Sequence, residues 1–86
     1  MNTFKLRILT TVAPFYSGNC EDLVFNTTDG KYGIKAHHRN MLGTVRSGRI
    51  TFIEEGGKKL CATVSDGIIK IKNNRVVLLV ETAQMD

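Results

Sequence analysis

The chain is 86 residues long and 9.6 kDa, room for one domain covering 1–86. Its 42% hydrophobic and 23% charged residues, with one Pro, exclude a disordered chain or a proline-rich linker. Twelve basic against eight acidic residues give a net charge of +4, and no apolar run approaches the roughly 18 residues of a membrane helix.

No window holds a 3.6-residue period, whereas alternation with period two recurs. Phe4, Leu6 and Ile8 alternate with Lys5, Arg7 and Leu9 as a first strand. A short segment, Pro14–Tyr16, runs into Ser17-Gly18, which reads as a turn, and Asn19–Asn26 follows with Leu23, Val24 and Phe25 apolar. Thr27-Thr28-Asp29-Gly30 is a turn, Lys31–Lys35 a short strand, and Ala36–Ser47 a loop with a strand around Met41–Arg46. Arg49–Glu55 and Lys58–Val64 flank Gly56-Gly57, a two-residue hairpin signal. That loop length sets Glu55 opposite Lys58, Glu54 opposite Lys59, Ile53 opposite Leu60 and Phe52 opposite Cys61. After a turn at Ser65-Asp66-Gly67, Gly67–Lys72 and Arg75–Val80 flank Asn73-Asn74, a second hairpin with Ile71 opposite Val76 and Ile69 opposite Leu78. The chain thus has about eight short strands with a turn every 6–12 residues, which reads as an all-β sandwich or barrel.

One face of the second hairpin, Ile69, Ile71, Val76, Leu78 and Val80, is a core face. The other carries Ile68, Val77 and Leu79 beside Lys70, Lys72 and Arg75. Two alternatives follow: burial under a crossing segment, or an exposed apolar patch that marks a partner site.

Few residues offer reactive chemistry. His37 and His38 are adjacent and diverge on a strand, so they do not chelate one metal together. Cys20 and Cys61 lie far apart and read as small buried hydrophobes, with neither a zinc motif nor an expected disulfide. Nothing in the spacing selects a triad from Ser65, His38 and Asp66, and no phosphate loop occurs. Met1–Lys5 lacks the apolar stretch of a signal peptide, so the cytosol is the expected compartment. The basic residues are spread along the chain, and Phe15, Tyr16, Phe25 and Tyr32 form no evident stacking platform. A small barrel that binds single-stranded nucleic acid is therefore the alternative reading, and a small hydrolase a third.

The segments Phe15-Tyr16-Ser17-Gly18, Glu21 through Phe25 and Asp29-Gly30-Lys31-Tyr32-Gly33-Ile34, closing at His38, carry a family resemblance. With Gly48-Arg49-Ile50, Ser65-Asp66-Gly67-Ile68 and Asn74 through Ala83, the chain resembles the N-terminal domain of the epsilon subunit of bacterial F-type ATP synthase. The likeness spans nearly all of the chain, and it is the order and spacing of the motifs, rather than any one of them, that is specific. It implies a ten-stranded β-sandwich, so the fold expected is all-β, a small sandwich of about eight to ten short antiparallel strands, without catalytic residues, metal or cofactor. It also implies a place in the rotor's central stalk, where rotation of the gamma subunit and c-ring is coupled to ATP synthesis during proton or sodium transport. The implied location is the cytoplasmic face of the bacterial plasma membrane, reached through the complex, with no membrane insertion and no nucleic acid partner.

By the same resemblance, Thr10, His38, Met41, Leu42, Ile68, Val77 and Leu79 are expected at the gamma subunit, and Lys31 and Tyr32 at the c-ring. Three departures stand out. His37 and Asn40 replace the Gly and Pro of the family's Gly-His-x-Pro loop, Ser47 replaces the Pro of its Pro-Gly, and Lys31 replaces an acidic residue in the turn. Most family members continue into an inhibitory C-terminal helical hairpin. The sequence given ends at Asp86, so hairpin-type inhibition is not expected of it.

Overall fold

A computed structural model describes residues 2–86. Among these, nine strands and no helix occur: β1 (Phe4–Leu9), β2 (Pro14–Thr27), β3 (Gly30–Lys35), β4 (Met41–Val45), β5 (Gly48–Glu54), β6 (Lys59–Val64), β7 (Gly67–Lys72), β8 (Arg75–Val80) and β9 (Ala83–Met85). They form one hydrogen-bonded sheet in the order β4-β7-β8-β1-β2-β5-β6-β9, with β3 paired to β2. The sheet folds over a single core of Phe, Leu, Ile, Val, Ala and Cys side chains drawn from β1 through β8. This is the all-β sandwich expected. Every pairing is antiparallel except β1 with β8.

The long strand β2 makes the fold-over possible. Its first half pairs with β1, its second half with β3 on the same edge, and β5 runs along the other edge. Between Cys20 and Asp22 the register against β5 slips by one residue, which makes Glu21 a bulge. A bulge bends a strand and switches which alternate residues face inward. Before it, Tyr16 and Cys20 face the core. After it, Leu23 and Phe25 do.

Ser17-Gly18 is therefore not the turn expected from its composition; it is strand, with Ser17 opposite Arg7 and Gly18 opposite Leu6. The glycine serves packing. A Cβ on Gly18 would lie 2.5 Å from the Tyr16 hydroxyl, so the missing side chain makes room for the phenol. Ala83–Met85 forms a ninth strand not anticipated in the sequence, held on β6 with Asp86 bonded to Thr63 and Arg49.

The two hairpins of the second half differ in outcome. The Asn73-Asn74 hairpin has the expected register, with φ of 52° and 62° at the two Asn, as a type I′ turn requires. The Gly56-Gly57 hairpin is offset by one residue, with Phe52 opposite Leu60 and Ile53 opposite Lys59. The ladder closes where Glu54 N–H donates to the Lys58 carbonyl at 2.7 Å, leaving a three-residue loop, Glu55-Gly56-Gly57. The reason is the core. Ile50, Phe52, Ala62 and Val64 must share the inner face, and the two-residue register would have set Phe52 against Cys61, across the pleat. The two Glu–Lys pairs expected beside the turn do not form. Glu54 instead accepts from the Tyr16 hydroxyl, and Glu55 N–H donates to the Asn19 carbonyl.

A candidate partner-docking surface

Along β4, β7, β8 and β1, alternate residues enter the core: Val45; Ile69 and Ile71; Val76, Leu78 and Val80; Phe4, Leu6 and Ile8. The residues between them face outward, and among the described residues no segment crosses over to bury them. Strand registers arrange these outward residues in rows. Thr44, Ile68, Leu79 and Leu9 are successive neighbours in one row. Leu42, Lys70, Val77 and Arg7 make the next, and Lys72, Arg75 and Lys5 the third. The face thus grades from apolar to basic. Leu42 is 72% exposed and Ile68 and Leu79 are 42% exposed, while Val77 is half-buried between its neighbours. Of the two alternatives for Ile68, Val77 and Leu79, the structure shows the uncovered one.

Thr10 borders the apolar end. Its hydroxyl donates to the Ala13 carbonyl at 2.7 Å and accepts from Ala13 N–H at 3.2 Å, which closes the β1–β2 loop beside Leu9 and Ile68. Met41 turns the other way from Leu42. It lies opposite Ile71, is half-buried and packs on the core, so only Leu42 of that pair is on the outer face. His38 and Tyr32, expected at different partners, are bonded to each other, Tyr32 Oη to His38 Nε2 at 2.8 Å. His38 Nδ1 lies 2.8 Å from the Arg39 carbonyl, which can only accept, so Nδ1 carries the hydrogen. In the neutral ring Nε2 then accepts the Tyr32 hydroxyl proton. Both ring nitrogens are engaged, and His38 makes no hydrogen bond to Ser65, whose hydroxyl accepts from Glu81 and Thr82 N–H. Lys31 is exposed at the β2–β3 turn, with its ammonium 3.4 Å from the Asn26 side-chain oxygen.

A second polar cluster lies inside, at β2. Tyr16 Oη donates to Glu54 Oε2 at 2.6 Å and sits 3.6 Å from Cys20 Sγ. Burial, followed by the Glu54 hydrogen bond, pushes the Tyr16 phenol well above its usual range, and burial also raises the Cys20 thiol. Such groups stay protonated at neutral pH, which suits a structural role rather than a nucleophile's. Among the described residues no group of three His, Cys, Asp or Glu is placed to hold a metal ion.

The family described as the ATP synthase Delta/Epsilon chain beta-sandwich domain matches residues 3–86. The chain belongs to this family. It is 37% identical over 84 residues to the ATP synthase epsilon chain of Ruminiclostridium cellulolyticum, covering 98% of this chain and 62% of that one. With the epsilon chain of Frankia casuarinae it shares 30% identity over 81 residues, covering 94% of this chain and 95% of that one. It thus spans about three-fifths of several curated epsilon chains and nearly all of another. A chain in the Euglena gracilis mitochondrial ATP synthase has the same fold, with a TM-score of 0.90 at 19% identity over 96% of this chain and 53% of its own. One in the Tetrahymena thermophila mitochondrial ATP synthase central stalk and c-ring assembly has a TM-score of 0.78 at 10% identity, over 93% and 64%.

Within this epsilon-type domain, the two replaced loop positions, His37 and Asn40, both bond to the β7–β8 turn. His37 holds φ at 64°, the left-handed region a glycine occupies without strain. Its N–H donates to Asn74 Oδ1 at 2.7 Å, while Asn40 Oδ1 accepts from Asn73 N–H at 3.0 Å. The loop and the β7–β8 turn are thereby fastened together by asparagine side chains, where the family's proline could offer no such bond.

The residues missed in the sequence are two cations, Lys5 and Arg7. They are far in the chain from Lys70, Lys72 and Arg75, but the parallel pairing of β1 with β8 brings all five onto one face. The second hairpin's register already placed three of them together; the β1 contact is non-local and left no mark in the pattern.

Proposed function

We propose that the chain is a non-catalytic rotor subunit of the central stalk of an F-type ATP synthase. It couples rotation of the gamma subunit and c-ring to ATP synthesis during ion transport. Family membership and the relatives named ATP synthase epsilon chain support this reading. The observation that carries it is the uncovered outer face, where Leu42, Ile68 and Leu79 present apolar surface that a free-standing domain has no use for. That face, with Thr10 and Val77, is the proposed gamma contact, and Met41 and His38 support it from the edge and the adjoining loop. Lys31 and Tyr32, on β3, are the proposed c-ring contact. Tyr32 acts there mainly by holding His38, since its hydroxyl is already engaged.

The subunit is held peripherally at the membrane through the complex, on the cytoplasmic face in a bacterium. No helix of the described residues is long and apolar enough to cross a membrane. The nucleic-acid reading loses its basis, because all six Phe and Tyr side chains are buried or packed on the core and none is free for base stacking.

The test is co-purification with the gamma subunit of the same organism, by size exclusion and calorimetry. A one-to-one complex that is weakened about tenfold or more by combined Leu42→Ala and Leu79→Ala supports the assignment. No complex with a folded gamma subunit overturns it.

A further inference from the structure

Strands β1, β4, β7 and β8 contain no acidic residue, yet three of them carry five cations on the outer face. Lys5, Arg7, Lys70, Lys72 and Arg75 are all exposed, and none makes an ion pair or a side-chain hydrogen bond among the described residues. Strands about 4.8 Å apart and a two-residue repeat of about 6.7 Å put their backbone positions within roughly 10 by 7 Å. Lys72 lies directly opposite Arg75, and Arg75 beside Lys5. Like charges so placed oppose folding. Among the described residues no acidic side chain pairs with them, so an acidic surface brought against this face would relieve that repulsion.

We propose that this face docks a protein surface that presents a band of carboxylates beside an apolar band. The apolar row of Ile68, Leu79 and Leu9 meets the second band, and the basic row of Lys72, Arg75 and Lys5 meets the first. The gradient across the face sets the orientation of docking, because the reversed pose would desolvate the cations against apolar surface. This deepens the reading above: it assigns the charge of the gamma surface that this chain contacts. A second copy of the chain is a poor occupant, since two such faces would oppose their own cations. A nucleic acid fits the cations, but it leaves the apolar row unmatched and finds no aromatic side chain on this face.

The experiment is calorimetric titration of the chain with the gamma subunit of the same organism, between about 50 and about 400 mM NaCl. Expected is a loss of affinity of roughly tenfold over that range. Combined Lys72→Glu and Arg75→Glu should cost a further tenfold or so, while Lys58→Glu with Lys59→Glu, an equal change of net charge on the exposed β5–β6 hairpin, should change affinity less than about twofold. Binding that ignores salt, or that responds equally to both double variants, overturns the charge assignment and leaves gamma docking standing. Absence of any gamma binding overturns both. Displacement of gamma by a short oligothymidylate at comparable concentration would assign the face to nucleic acid instead, and would also overturn the proposal. The wild-type salt titration decides even if the charge-reversed variant fails to fold.

Discussion

The phenol of Tyr16 donates to Oε2 of Glu54 at 2.6 Å, tying the first half of β2 to the end of β5 where the long strand changes partners. This one bond draws on three features of the sequence: the glycine at 18 that clears space for the ring, the bulge at Glu21, and the three-residue loop that leaves Glu54 free of Lys59.

Tyr16→Phe should therefore cost about 1–2 kcal/mol at neutral pH, read from chemical unfolding. The same change should alter the alkaline limb. Burial raises the folded-state value of the phenol above its unfolded value of about 10, so the folded state holds its proton more tightly. That contribution is fully present below about pH 10 and is lost as the pH rises above it. The wild-type melting temperature should fall steeply across that limb, and the Phe variant should fall less. Parallel curves would show that the phenol does not titrate with folding.

The sandwich was legible because its core strands alternate so regularly. Phe4, Leu6 and Ile8, and Ile69, Ile71, Val76 and Leu78, are buried where alternation places them. The β7–β8 register was legible too, since Asn-Asn accepts positive φ at both positions. What failed was local inference overruled by distant packing. Gly18 looks like a turn residue and is instead a clearance for Tyr16, and Gly56-Gly57 looks like a complete loop but yields its register to Phe52 and Ile50. The docking face was half legible. Its apolar members and three of its cations could be read from one hairpin, whereas Lys5 and Arg7 arrive through a parallel contact with no periodic signature.

The β5–β6 loop offers a direct test of that competition. Gly56→Asn makes the loop read Asn-Gly, the strongest signal for a two-residue turn, and so favours the register in which Glu55 meets Lys58. That register would set Phe52 and Ile50 against Cys61 and Thr63 rather than Leu60 and Ala62. The core should hold the native pairing, seen as cross-strand amide contacts between Phe52 and Leu60, and the variant should lose about 1 kcal/mol to the left-handed backbone at residue 56. A switch of pairing to Glu55 with Lys58 would mean that the loop, and not the core, sets the register.

The loop at His37 makes the opposite forecast. A non-glycine residue in the left-handed region carries roughly 1–2 kcal/mol of strain, part of which glycine returns as chain entropy. His37→Gly should stabilise the domain by about 0.5–1 kcal/mol, because the ring is exposed and the bond to Asn74 comes from the backbone N–H. Asn74→Gly keeps the turn geometry but removes the acceptor for His37 and the donor to the Thr3 carbonyl, and should cost about 1–2 kcal/mol. Should both glycines destabilise alike, the loop is held by something other than the asparagine bonds.

Val76 and Val77 are neighbours in sequence that face opposite ways, one 2% exposed in the core, the other on the outer face between Lys70 and Arg7. Aspartate separates them cleanly. At Val76 it buries a carboxylate without a partner and should cost more than about 4 kcal/mol, enough to unfold a domain of this size. At Val77 the carboxylate would lie among five cations, so stability should change by less than about 1 kcal/mol. Gamma binding should nevertheless weaken, because the new charge neutralises the patch from within and repels an acidic partner surface. Circular dichroism melts and calorimetry on the same Val77→Asp sample check both halves. A folded variant that binds gamma as tightly as wild type would remove the outer face from the interface, and an unfolded one would show that Val77 belongs to the core.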